Sequence, residues 1–102
     1  MLATTHYLLR SKQDGQYLVA RLIKGESETP ASYLLLFKES YDALSYINTH
    51  AQDLANNFSV ETLSGTQLKG LMQRWGFAGI GLVSEPLEPQ VQFLAYEKGF
   101  NL

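Results

Sequence analysis

Residues 6–23 read HYLLRSKQDGQYLVARLI. Two β-rich runs, Tyr7 to Ser11 and Tyr17 to Ile23, flank Asp14-Gly15. An Asp-Gly pair between such runs predicts a two-residue type I′ hairpin, because both central residues of that turn need a positive φ. Such a hairpin sets Gln13 opposite Gln16, and the register then decides which side chains share a face. One face carries Tyr7, Leu9, Ser11, Leu18, Ala20 and Leu22 and is expected on the core. The other carries His6, Leu8, Arg10, Lys12, Tyr17, Val19, Arg21 and Ile23 and is expected to look outward.

Downstream, Lys24 to Ser32 is a polar loop holding Gly25 and Pro30, and Tyr33 to Lys38 is a short apolar run of the kind buried on both faces of a sheet. Ser40 is placed to cap a helix, with Asp42 in its first turn. Leu44, Ile47, Ala51, Leu54, Ala55 and Phe58 recur at steps of three and four as its core stripe, and Asn56-Asn57 is placed to end it. Ser59 to Leu63 reads as a strand. Ser64 and Gln67 match a capping box, Leu68, Leu71, Met72 and Trp75 form the next helical stripe, and Gly76 stands where a helix stops. Gly70, inside that helix, implies close packing. Phe77 to Val83 is the fifth strand, with Gly79 and Gly81 on one face under a packed helix. Pro86 and Pro89 interrupt the chain, Val91 to Tyr96 returns as a strand, and Glu97 to Leu102 is expected to fray.

The elements run β-β-β-α-β-α-β-β. This is an α+β class: a mixed β-sheet opened by an antiparallel hairpin, with two helices packed on one face and right-handed strand-helix-strand crossovers. With 102 residues, 45% of them apolar, the chain reads as one domain spanning residues 1–102. Zero cysteines exclude disulfides, thiolate zinc sites and thiol catalysis. A net charge of −2 and the lack of an RNP-like Gly-aromatic motif argue against nucleic acid. The start lacks a signal-peptide pattern and no apolar run spans a bilayer, so a cytoplasmic protein without membrane contact is expected. Residues 1–38 hold five basic and three acidic side chains against three and seven in residues 39–102, which suits head-to-tail pairing of copies.

Leu36-Phe37, Ser40 to Leu44, Val60 to Leu63, Leu68 to Leu71 and Gly76 to Pro86 (GFAGIGLVSEP) follow one pattern. A strand ends in Leu-Phe, a helix opens after Ser or Thr, and a short strand and second helix follow. A Gly-led strand then closes near Pro. This resembles the N-terminal domain of SseB-like bacterial proteins over about half of the chain. Ser84-Glu85-Pro86 stands where that family has an Asn-Pro-Gly turn. The resemblance implies a small bacterial cytoplasmic domain with a binding or regulatory role, and it carries over no catalytic residue.

Two groups of residues are candidates for function. The outward hairpin face offers His6, Leu8, Arg10, Tyr17, Val19 and Arg21, a mixture of cation, ring and aliphatic side chain suited to a homodimer or a protein partner. On the first long helix, Tyr46, His50 and Asp53 lie in one stripe with Asn57, and a His50–Asp53 pair would orient an imidazole for a small-molecule site or an enzyme subunit. No third group completes a triad or a metal site, so no catalytic residue, metal ligand or cofactor is assigned. Gly76 to Gly81 spells G-x-x-G-x-G ahead of a strand, the reverse of a dinucleotide fingerprint. Function is therefore expected to be non-catalytic binding or regulation through an exposed sheet face.

Overall fold

The computed structural model describes residues 5–23 and 30–95. Its elements are β1 (His6–Ser11), β2 (Val19–Leu22), β3 (Ala31–Phe37), α1 (Ser40–His50), a 3₁₀ segment (Gln52–Asn57), β4 (Phe58–Leu63), α2 (Gly65–Trp75), β5 (Gly79–Glu85) and β6 (Gln90–Ala95). The class, the mixed sheet and the element order are those expected. The loop residues 24–29 and the expected fraying of Glu97 to Leu102 lie outside the described residues.

The strands form one sheet in the order β4-β1-β3-β5-β6, with β2 also paired to β3. β3 and β5 are parallel, and every other pairing is antiparallel. β3 is the centre: Tyr33 to Phe37 are all buried, so both of its faces must be covered. Leu34 and Leu36 point to a core shared with Leu8, Ile80 and the α2 residues Leu68, Leu71 and Met72. Leu35 and Phe37 point to a second core with Leu9, Val83 and the α1 residues Ala43 and Ile47. Side chains alternate along a strand, so the two helices lie on opposite faces rather than together on one.

The strand order gives the reason. The chain leaves β3, passes through α1 and returns in β4, on the far side of β1. It then crosses back through α2, over β1 and β3, to reach β5. β4, β3 and β5 all run the same way, and crossovers between such strands are right-handed in about 98% of cases. Two crossovers of the same hand that travel in opposite directions put their helices on opposite faces.

The first reversal also differs from a type I′ hairpin. Gly15 has φ 72°, and no non-glycine residue among the described residues has a positive φ, so Asp14 does not enter the left-handed region that the turn demands. The Asp14 carboxylate instead accepts the Gln16 N–H at 3.0 Å, and the Ser11 hydroxyl accepts the Gln13 N–H at 3.3 Å. Ser11 N–H donates to Gln16 O at 2.7 Å, closing a four-residue loop, and Arg10 pairs with Tyr17. The register is shifted by two residues, an even number that leaves the face assignment intact. Leu18 then wedges between strands: its N–H donates to Leu9 O at 2.9 Å, and its carbonyl accepts Leu35 N–H at 3.3 Å. From Val19 onward the chain follows β3, not β1.

The residue capping α1 is Glu39, without a side-chain cap, rather than Ser40. The helix stops at His50, where Ala51 (φ −153°) starts the tighter 3₁₀ segment, so Asn56-Asn57 ends that segment instead. Ala43 and Ile47 take the sheet-facing line, and Leu44 and Leu54, expected in the core, are 48% and 50% exposed. Ser64 and Gln67 make both capping-box hydrogen bonds, and Gly76 (φ 67°) closes α2 as expected. The glycines of β5 face β6 and two rings, not a helix: a Cβ on Gly79 would collide with Leu94 O and sit 2.7 Å from the Tyr33 ring.

Candidate functional site

The second helix covers the hairpin face that was expected to be open. Leu8 is 0% and His6 5% exposed, so neither serves as a contact residue for a partner. Val19 is half-buried against the α2 core, and only Arg21 of the six is exposed. The hydrophobic alternation was right for both faces, but α2 needs an apolar bed, and Leu8 with Val19 supplies part of it.

Arg10 and Tyr17 survive at the margin of this face as part of a row. Arg10 Nε donates to Gly15 O at 2.8 Å, and Nη1 lies 3.7 Å from a Glu61 carboxylate oxygen. The guanidinium stands 4.9 Å over the Tyr17 ring. Tyr17 meets Trp75 edge to face at 4.8 Å, and Trp75 stacks on Phe77 at 5.9 Å. Trp75 had the spacing of a core residue, but it ends α2 and is 38% exposed.

Beside this row runs a groove of about 450 Å³ floored by Gly70 and walled by Tyr17, Leu63, Gln67 and Arg74. Gly70 is not closely packed, contrary to expectation, since an added Cβ would meet nothing within 4 Å. Sequence reasoning missed this groove. The available signal was a glycine in mid-helix with no bulky neighbour to account for it.

The Tyr46, His50 and Asp53 stripe does not assemble into a cleft. Tyr46 packs on Phe37 and on the His50 ring, with centroids 5.4 and 4.7 Å apart, and burial raises its phenol above the ordinary tyrosine pKa. His50 Nε2 donates to Pro86 O at 2.8 Å, tying the end of α1 to the turn after β5. Asp53 lies past the break at Ala51, exposed, and no hydrogen bond or ion pair joins it to His50 among the described residues. Ala51 leaves the helical region between them (φ −153°, ψ 59°), so i, i+3 spacing no longer places the two side by side.

A third place lies at the carboxyl ends of the parallel pair β3 and β5. There a cavity of about 360 Å³ is lined by Thr5, His6, Leu36, Lys38 and Leu82, with Phe37 and Val83 behind them. Nε2 of His6 is buried and has no hydrogen-bond partner among the described residues. Burial pushes the imidazole below its ordinary pKa of 6.5, which favours the neutral ring.

None of the described helices is long and apolar enough to cross a membrane. No family model, no curated protein and no solved structure matches the chain.

Proposed function

We propose that this chain is a non-catalytic binding domain that assembles head to tail with further copies of itself, the outer side of α2 receiving the outer side of α1. The observation that carries this reading is the opposite charge of two helices on opposite faces of one sheet. Residues 39–57 hold Glu39, Asp42 and Asp53 and no Lys or Arg, whereas residues 64–76 hold Lys69 and Arg74 and no Asp or Glu. Each side also offers apolar area. Tyr41 is 63% and Leu44 48% exposed on α1, and α2 presents Trp75 beside the open groove at Gly70. An aromatic or leucine side chain from one copy entering a groove rimmed by arginine on the next is the usual anatomy of an interface anchor. Because the two surfaces differ, the contact is heterologous and propagates into rings or open chains.

Charge reversal tests it. Lys69→Glu with Arg74→Glu makes both helices acidic, and Glu39→Lys with Asp42→Lys makes both basic. Wild-type chain should gain mass with concentration in light scattering, each double variant alone should stay monomeric, and an equimolar mixture should associate again. Wild-type chain that is strictly monomeric at about 100 μM, well above the micromolar range of weak specific contacts, retires the reading. So does a mixture that stays monomeric.

A further inference from the structure

We infer that the edge of β2 turned away from β3 is a docking site for a short extended peptide in which apolar and acidic side chains alternate. The peptide adds as a strand, hydrogen-bonded to the main chain of Val19 and Arg21. The site lies apart from the helix surfaces proposed to join copies.

The open edge follows from the path of the chain. Leu18 bonds to a different strand on each side, its N–H to Leu9 O and its carbonyl to Leu35 N–H. The chain then leaves β1 and runs beside β3, with Val19 opposite Leu34 and Arg21 opposite Ser32. Successive residues of a strand turn their main-chain N–H and C=O groups to alternate sides. Because Leu18 O faces β3, Ala20 and Leu22 also address β3, whereas Val19 and Arg21 address the opposite side. Ser32 gives the same phase from across the pair, since its carbonyl accepts Ala78 N–H on the β5 side of β3. Among the described residues, no strand pairs with this edge of β2 and no backbone hydrogen bond reaches its Val19 and Arg21 groups. Such a row of main-chain donors and acceptors is a template for one more strand.

The surface beside the edge sets the chemistry of the peptide. A groove of about 590 Å³ runs along it, and its walls differ on the two faces of the sheet. On the α1 side stand Leu18 and Phe58, partly buried against that core, and Leu54 of the 3₁₀ segment, 50% exposed. On the α2 side Val19 packs against the other core, and Arg21 is exposed with no ion pair among the described residues. Side chains of an added strand alternate between these walls, so apolar residues meet Leu54 and an acidic residue meets Arg21. Asp14, the acid among the described lining residues, sits in the reversal loop, where its carboxylate accepts Gln16 N–H. The four residues of β2 span roughly 13 Å, the length of a peptide of about four to six residues. A second copy of β2 is the poorer occupant, because it brings two Arg21 guanidinium groups onto one face.

The test titrates the acetylated, amidated peptide Ser-Val-Glu-Leu-Glu-Ser into the isotope-labelled full chain and follows its amide resonances by NMR. Saturable shifts centred on the Val19 and Arg21 amides are expected, with Kd at or below about 1 mM. Strand addition uses the main-chain groups of alternate peptide residues only. N-methylation of one central residue should therefore abolish binding, and N-methylation of its neighbour should leave it within about threefold. A peptide with Lys in place of both Glu residues should bind at least about threefold more weakly, and Arg21→Glu should reverse that preference. Leu54→Ser should weaken binding at least about threefold. Both substitutions are at exposed positions, and the spectrum of each variant verifies its fold. The inference is overturned if no saturable shifts appear up to about 10 mM, or if methylation at the two neighbouring positions has the same effect. It is also overturned if Arg21→Glu or Leu54→Ser changes nothing, or if the edge amides respond to chain concentration alone, which would place a second copy there.

Discussion

Replacing Gly70 with Ala should stabilise the fold and weaken its self-assembly, two effects of opposite sign from one methyl group. Glycine inside a helix is less favourable than alanine by about 1 kcal/mol, because it has more backbone freedom to lose on folding. That cost is recovered only where a Cβ fits, and at Gly70 an added Cβ meets nothing within 4 Å. The fold should therefore gain about 0.8–1 kcal/mol, which for a domain of this size raises Tm by roughly 4–8 °C. The same methyl rises from the floor of the groove beside Tyr17 and Arg74. Overfilling a formed contact costs about 1–3 kcal/mol, so association should weaken about fivefold or more. Circular-dichroism melts at low concentration read the first effect and sedimentation velocity across a dilution series reads the second. A lowered Tm would mean that Gly70 is packed against something, and the description of the groove would fail. A raised Tm with unchanged association would remove the groove from the interface.

Three further expectations follow from the same contacts. Gly79→Ala should cost about 1–3 kcal/mol in urea unfolding, since its Cβ collides with Leu94 O and approaches Ala95 Cα to 2.9 Å, so that β6 must move; a loss below about 0.5 kcal/mol would contradict the close approach of the two strands. Ser64→Ala should cost about 1 kcal/mol by removing the hydrogen bond to Gln67 N–H, and Ser64→Asp should restore most of it; equal stability of the Ala and Asp variants would count against the cap. The imidazole of His6 has a folded pKa below its unfolded value of 6.5. The unfolded chain therefore takes up this proton first, so the stabilisation is complete above pH 6.5 and is lost as the pH falls through the folded pKa. Urea midpoints measured between pH 8 and pH 5 should fall less steeply for His6→Gln than for wild type, and parallel profiles would exclude His6 as the source.

Local structure was legible wherever the governing interaction spans a few residues. The capping box at Ser64 and Gln67, the left-handed Gly76 and the doubly buried run from Tyr33 to Phe37 could all be read directly, because side-chain hydroxyls, missing Cβ atoms and unbroken apolarity act on their own neighbourhood. Where a local signal had competition, it lost. Asp14 satisfies Gln16 N–H from its side chain, so the reversal needs one left-handed residue instead of two. At Ala51 the backbone leaves the helical region, and a stripe extrapolated through it misplaces Leu54 and Asp53.

By itself, the sequence determined the element order, the mixed α+β class and the division of the first two strands into a face with Leu9 and Leu18 and a face with Leu8 and Val19. Alternation along a strand is a property of the backbone and needs no knowledge of what lies above the sheet. What covers each face was decided by tertiary structure. The position of β4 beyond β1 sends the second crossover back across the sheet, and handedness then carries α2 to the opposite side. That single choice buries Leu8 and His6 and leaves Trp75 and the Gly70 groove at the surface. The strand order depends on pairings between residues tens of positions apart, and no local pattern records them.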